Sequence, residues 1–472
     1  MRVFWHRRDL RIADNRGLAA AAADDTVLPA FVVDDGVLEH AGATRVRFML
    51  DALASLRATY RGLGSDLLVV RGDPTEELPR LASHHDADGV YWNEDYSGLA
   101  RERDAAVRRS LEDDGLVARA FHDAVHHEPG TITTNEGEPY SVYSYFWKKW
   151  RDRSKADPYP APGPESLVPA DDLPADPLPD LDDLGFAEPD AVLQRVGTDA
   201  AHDRLDAFLD GPIYEYQEAR EYPAREGTSR LSADLKWGTI GVREVSEAVE
   251  AAAADAPDDG AAESVEEFRS QLAWREFYAQ VLWANPNVVS ENVRTYERPI
   301  EWREDPEALR AWKVGETGFP IVDAGMRQLR EEAYMHNRVR MIVASFLTKD
   351  LRVDWREGYA HFRELLVDHD AANDSCGWQW AASTGTDAQP YFRVFNPTTQ
   401  GERYDPDAEY IREYVPAFEG IPAEEVHGWP DLTDEQRERT ADHPHPIVDH
   451  AEAREAAIGM FERARGDDGS GG

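Results

Sequence analysis

The chain has 472 residues, and its 51 Lys and Arg against 92 Asp and Glu give a formal charge of −41. At roughly 150 residues per domain it holds two or three domains, large enough to bury a core without staples. The acid excess suits a surface that stays hydrated in concentrated salt; 42% hydrophobic residues with 13 Trp, 18 Tyr and 16 Phe exclude a largely disordered chain.

Lysine is confined to Lys148, Lys149, Lys155, Lys236, Lys313 and Lys349, so arginine supplies nearly all the positive charge. Cys376 is the single cysteine, which excludes an intrachain disulfide and a four-cysteine zinc site. The first residues lack the apolar stretch of a signal peptide, and no run reaches the ~18 apolar residues of a membrane span. The expectation is a soluble, cytoplasmic protein. Net charge argues against nucleic acid as a partner, but the local patch decides that question.

Short apolar runs at 3–5, 27–33, 66–70, 89–92 and 117–121 alternate with helical stretches such as 45–60 and 99–111. That rhythm predicts βαβ units and a mostly parallel, Rossmann-like sheet over 1–130. Ligands in such sheets sit at the carboxyl ends of the strands, where Asp34-Asp35 and Asn93-Glu94-Asp95 fall. A linker is expected over 131–190; nine prolines lie between 157 and 189, and their acidic surroundings point to an extended chain that wraps one domain on its way to the other. From 191 to 465 the apolar spacing is helical, as in 265–283 and 333–350, and an all-α domain is predicted. An acidic stretch at 252–267 reads as a loop or a solvated helix end. Residues 466–472 read as a disordered tail.

Phosphate-cradling, zinc-protease and serine-hydrolase motifs are missing. The histidine pairs 84/85, 126/127 and 443/445 lack a metal-ligand pattern, and no metal is expected. What stands out is a tryptophan-rich polar helix, Asn373-Asp374-Ser375-Cys376-Gly377-Trp378-Gln379-Trp380, followed by Tyr391-Phe392-Arg393-Val394-Phe395-Asn396-Pro397. Successive helical residues turn by about 100°. Trp378 and Trp380 therefore point to nearly opposite sides, and Asp374 shares the face of Trp378. Thr228, Ser229 and Ser232 precede a helical stretch and offer either an anion site or a plain cap.

These blocks resemble the DNA photolyase/cryptochrome family. So do Trp5-His6-Arg7-Arg8-Asp9-Leu10-Arg11, Glu226-Gly227-Thr228-Ser229-Arg230-Leu231-Ser232, Thr317-Gly318-Phe319-Pro320 and Met335-His336-Asn337-Arg338-Val339-Arg340-Met341. The likeness spans nearly the whole chain and is nearest to class I cyclobutane pyrimidine dimer photolyases. It implies an N-terminal antenna domain followed by a helical FAD-binding domain. It also implies a monomer that repairs UV-damaged DNA by light-driven electron transfer from reduced FAD to a flipped-out dimer.

Residue by residue, the resemblance implies that Tyr216, Thr228, Ser229, Arg230, Leu231, Ser232, Arg340, Asp368, His369, Asp370 and Asp374 hold FAD. Arg340 pairs with Asp368 in that scheme. Trp274 and Trp380 would flank the dimer, with Arg220, Gln271, Asn337, Arg338, Met341 and Gln400 as further DNA or lesion contacts. Trp302, Trp355 and Trp378 match the family's electron-transfer tryptophans. An arginine-lined groove, including Arg220, Arg338 and Arg393, is expected on the negative body.

Two positions depart from the class I pattern. Asp374 stands where those enzymes have an amide facing flavin N5, and an acid there resembles plant cryptochromes. Gln271 stands where they have Glu; an amide can still hydrogen-bond there but cannot act as an acid. A cryptochrome-like photoreceptor and a (6-4) photolyase are the alternative readings. The 93–97 segment resembles an antenna-chromophore loop, leaving 8-hydroxy-5-deazaflavin and methenyltetrahydrofolate both open.

Overall fold

In the computed structural model, which describes residues 1–174 and 176–466, five parallel strands form one sheet. They are β1 (Arg2–His6), β2 (Val27–Val33), β3 (Leu68–Arg71), β4 (Gly89–Asn93) and β5 (Val117–Phe121), in the order β3-β2-β1-β4-β5. The order reverses between β1 and β4, which makes their carboxyl ends the switch point where such sheets bind ligands.

Alternation along the strands divides the sheet's two faces. Phe4, Phe31, Val33 and Tyr91 pack against the Arg16–Asp24 and Ala43–Gly62 helices, while Val3, Trp5, Leu28, Val32 and Trp92 pack against Pro74–His84 and Gly98–Asp113. Both faces are covered, so the central strands read as continuous apolar runs.

The 131–190 segment is more structured than an extended linker. Its Tyr143–Asp152 helix buries Tyr143, Phe146 and Trp150 in the helical domain. The proline-rich part does wrap the α/β domain. Val168 N–H donates to the Val27 carbonyl at 2.9 Å, and Leu181 and Leu184 fill the core beside Phe48. The acidic 252–267 stretch also departs from a loop: Asp258 caps a 26-residue helix, Asp259–Ala284, which takes in most of it.

Beyond Phe121 the described residues contain no strand. The helical domain has two cores, one built around the Asp259–Ala284 helix and one whose buried residues run from Ala308 to Trp429. The expected 333–350 helix starts later. Ala333 adopts φ +52° and ends the preceding helix, His336 caps Asn337–Ser345, and a π-turn over Phe346–Asp350 continues it. The Ala371–Ala381 helix lies on the seam, giving Ala372 and Cys376 to one core and Trp378 and Ala381 to the other.

A buried ion cluster joins the two domains. Arg11 donates to Asp123 at 2.6 Å, and Arg243 bridges Asp14 and Asp123, all four side chains being almost wholly enclosed. The expected tail falls on 467–472, outside the described residues. No helix among the described residues is long and apolar enough to cross a membrane.

Candidate functional site

The Ala371–Ala381 helix is set by its first residue. Asp370 accepts from the N–H groups of Ala372 and Asn373 at 3.1 and 3.0 Å and from the Asn373 side chain at 2.8 Å. Along this interior helix only positions 370, 371, 373, 377 and 380 are half-exposed, and 370, 373, 377 and 380 form one stripe at helical spacing. A Cβ built on Gly377 would meet nothing within 4 Å. The stripe therefore faces open space large enough for a ligand to pack against backbone.

Trp378 and Trp380 diverge as their helical phase requires. Trp378 is buried, its ring 5.0 Å from Phe362 and 5.9 Å from Trp312, while Trp380 is half-exposed on the stripe. Trp355 is fully buried and donates to Asn292 at 2.9 Å. Trp302 is half-buried against Phe461 at 5.9 Å. All three predicted electron-transfer tryptophans thus belong to, or pack on, one core.

Carboxylates border the open space. Arg340 donates to Asp368 at 2.7 Å and to the Met335 carbonyl at 2.8 Å, and its other nitrogen lies 3.9 Å from Asp374. The second oxygen of Asp368 is buried with no partner among the described residues. Burial alone would raise the Asp370 pKa; the Arg8 and Arg275 guanidiniums overcome it and hold the carboxyl well below the usual range. Asp374 Oδ2 lies 2.6 Å from His369 Nδ1, and burial lowers the His369 pKa.

The 226–232 segment spends none of its hydroxyls on a helix cap. Leu231 is the cap of the Ser232–Trp237 helix, without a side-chain bond. Thr228 and Ser229 are half-exposed and Ser232 is exposed. Arg230 adopts φ +49° and lies over the Tyr334 ring at 4.3 Å; Arg340 lies 5.6 Å from the same ring, which ties this segment to the Arg340–Asp368 pair. Tyr216 is buried with its ring edge-on to Phe268 at 5.2 Å.

The expected DNA-facing residues are linked by charge. Arg338 pairs with Glu221, Glu221 lies 3.9 Å from Arg220, Arg220 pairs with Glu267, and Glu267 accepts from Gln271 at 2.9 Å. Acidic partners therefore occupy Arg220 and Arg338 of the expected arginine-lined groove. Trp274 stacks on Tyr143 with centroids 3.6 Å apart and planes at 11°. Asn337 is exposed, Met341 and Gln400 are half-exposed, and the Asn337 amide lies 3.8 Å from the Met341 sulfur.

An opening of about 540 Å³ lies between the sheet's carboxyl edge and the helical domain, and Asp370 and Asn373 of the stripe are on its wall. Asp34 and Asp95 line it as expected, but Asn93 turns inward and bonds Asp9, Asn15 and the Gly17 N–H. Sequence reasoning missed Arg8, Arg45, Lys236 and Tyr359 on its walls. Arg8 reaches Asp95 at 3.2 Å and Asp370 at 2.8 Å, bridging the two domains. The doubled arginine before Asp9 was the available signal. Burial lowers Arg45 to about 10 and holds Lys236 well below its usual value.

No group of three metal-ligating side chains occurs among the described residues. Residues 2–165 match the family model described as DNA photolyase, and 268–463 match the FAD binding domain of DNA photolyase. A deoxyribodipyrimidine photo-lyase of Halobacterium salinarum is 62% identical over 99% of this chain and 100% of its own. The chain is also similar to a solved class III photolyase from Agrobacterium tumefaciens (TM-score 0.87, 34% identity, 98% of both chains covered). The archaeal photolyase of Sulfolobus tokodaii, solved with two FAD molecules, matches with TM-score 0.81 and 31% identity over 98% of this chain and 99% of that one.

Proposed function

The chain belongs to the DNA photolyase/cryptochrome family, and on that footing we propose that it is a light-driven lyase that splits cyclobutane pyrimidine dimers in DNA. The observation that carries this reading is the half-exposed stripe of Asp370, Asn373, Gly377 and Trp380, open at Gly377 and bordered by the Arg340–Asp368 pair.

The donor set fits FAD. Thr228, Ser229 and Ser232 offer hydroxyls for a diphosphate, and the unpartnered oxygen of Asp368 offers an acceptor for a sugar or ring N–H. Bound FAD supplies a blue-light-absorbing electron donor. The protein's task is to orient it, exclude water and present the lesion. Gly377 permits a flat ring to approach the helix backbone, and Arg340 and Asp374 set the charge beside it. Trp274, held flat against Tyr143, and Trp380 give aromatic surfaces against which an extruded dimer can pack; such stacking contributes ~1–3 kcal/mol per base. Gln271 and Asn337 supply amides for the lesion's polar edge. Trp378, Trp355 and Trp302 carry an oxidising equivalent outward when the cofactor must be reduced.

The 540 Å³ interdomain opening suits a second, light-harvesting chromophore. Its arginines favour a polar, anionic ring system such as a deazaflavin. The protein acts as a cytoplasmic monomer on UV-damaged DNA.

Binding of an oligonucleotide bearing one thymine dimer, measured against the undamaged strand, tests the reading. Wild-type protein should prefer the lesion, and Trp380→Ala should lower that preference tenfold or more. Equal affinity for both strands in the wild type would contradict the lesion pocket.

A further inference from the structure

His369 lines the interdomain cavity beside Asp370 and Asn373 of the stripe, and its Nδ1 lies 2.6 Å from Asp374 Oδ2, a side chain that is not on that cavity's wall. We propose that His369 relays protons from the interdomain cavity to Asp374, on the flavin side of the Ala371–Ala381 helix. This rests on the FAD reading above.

The geometry makes the path short. With the hydrogen of this contact on Nδ1, Asp374 Oδ2 accepts it and Nε2 is left to exchange with cavity water. Burial lowers the His369 pKa, so the ring is neutral at rest and its charged form is transient. Three arginines and two carboxylates, Asp370 and Asp374, surround it. Arg45 comes from the Ala43–Gly62 helix, Tyr359 and Arg363 from Trp355–Leu365, Arg340 from Asn337–Ser345, and Asp370 from the cap. The Tyr359 ring lies 5.5 Å from the imidazole at 61° and restricts its rotation.

The transfer moves protons alone. The Nδ1–H bond breaks as an O–H bond forms on Asp374, and cavity water returns a proton at Nε2. The electron that makes proton delivery necessary comes to the bound flavin from an external thiol. His369 thus answers the departure at position 374: a carboxylate placed against the flavin passes on a proton only when one is supplied to it, and this chain places an imidazole behind it.

The test follows proton uptake after a light flash, with a pH-indicator dye, in FAD-loaded protein supplied with a thiol. His369→Gln can keep a hydrogen bond to Asp374 but cannot relay. With the bound flavin of each variant measured by its absorbance, it should take up protons at least about tenfold more slowly per flavin. His369→Ala should be equally slow, and millimolar imidazole, admitted through the cavity, should restore it. A wild-type rate per bound flavin in His369→Gln, or failure of imidazole to restore His369→Ala, would overturn the relay. Wild-type protein that binds no FAD would overturn the flavin reading itself, and the relay with it.

Discussion

At the residue scale, the rim of the lesion site is a chain of opposed charges rather than a basic patch. Arg220 and Arg338 are each tied to a glutamate, and a paired arginine releases fewer counterions from DNA than a free one. Glu267→Gln frees Arg220 and spares the hydrogen-bonding shape. It should tighten DNA binding and steepen the dependence of log K on log salt by about one unit. Titrating labelled duplex at several KCl concentrations measures this; an unchanged slope would mean that Arg220 does not meet phosphate.

His336 supplies a pH signature. Burial first, then the neighbouring Arg338 and Arg340 charges, push its pKa down to about 3. It is neutral in the folded protein and accepts from the Arg338 N–H at 3.2 Å. A lowered value in the fold means that its contribution to stability is complete above the unfolded value near 6.5 and is lost as pH falls toward about 3. Between pH 7.5 and 5, the urea midpoint of the wild type should therefore fall more than that of His336→Gln. Parallel curves would contradict a buried neutral ring.

At the element scale, the sequence made some parts plain and hid others. The central strands were legible because both faces of a parallel sheet are covered and the strands read as unbroken apolar runs. The faces of Trp378 and Trp380 were legible because helical phase fixes them. The Tyr143–Asp152 helix was hidden in a segment whose proline-rich part begins only after it. The break at Ala333 was hidden because tertiary packing, not glycine, sets its left-handed backbone. The His369–Asp374 contact was hidden because it crosses a helix cap, where neither helical nor strand spacing applies. The charges that join the domains come from Asp14, Asp123 and Arg243, residues far apart in the chain.

That junction carries its own prediction. Removing one partner from a buried ionic cluster leaves an uncompensated charge and costs about 3–5 kcal/mol. Arg243→Met should lower the urea midpoint accordingly, and Arg195→Met, which breaks a pair exposed on both sides, should change it little. Equal losses in the two variants would contradict a structural role for the cluster.

For the whole molecule, a charge of −41 on 472 residues means self-repulsion that only salt can screen. The thermal midpoint should rise steadily as KCl is raised from dilute to molar, and a flat or falling profile would contradict this account of the acidic surface. Lesion recognition must work in the same medium. Concentrated salt suppresses counterion release, so stacking on Trp274 and Trp380 and hydrogen bonds to the lesion carry the affinity.

The most direct measurement uses purified, FAD-loaded protein in molar KCl, reduced and mixed with an oligonucleotide bearing one thymine cyclobutane dimer. Absorbance at the thymine band is followed under blue light and in the dark. Recovery in the light alone is the predicted result. No recovery from protein that binds and photoreduces FAD would contradict the lyase reading and favour a photoreceptor or repair of the (6-4) lesion.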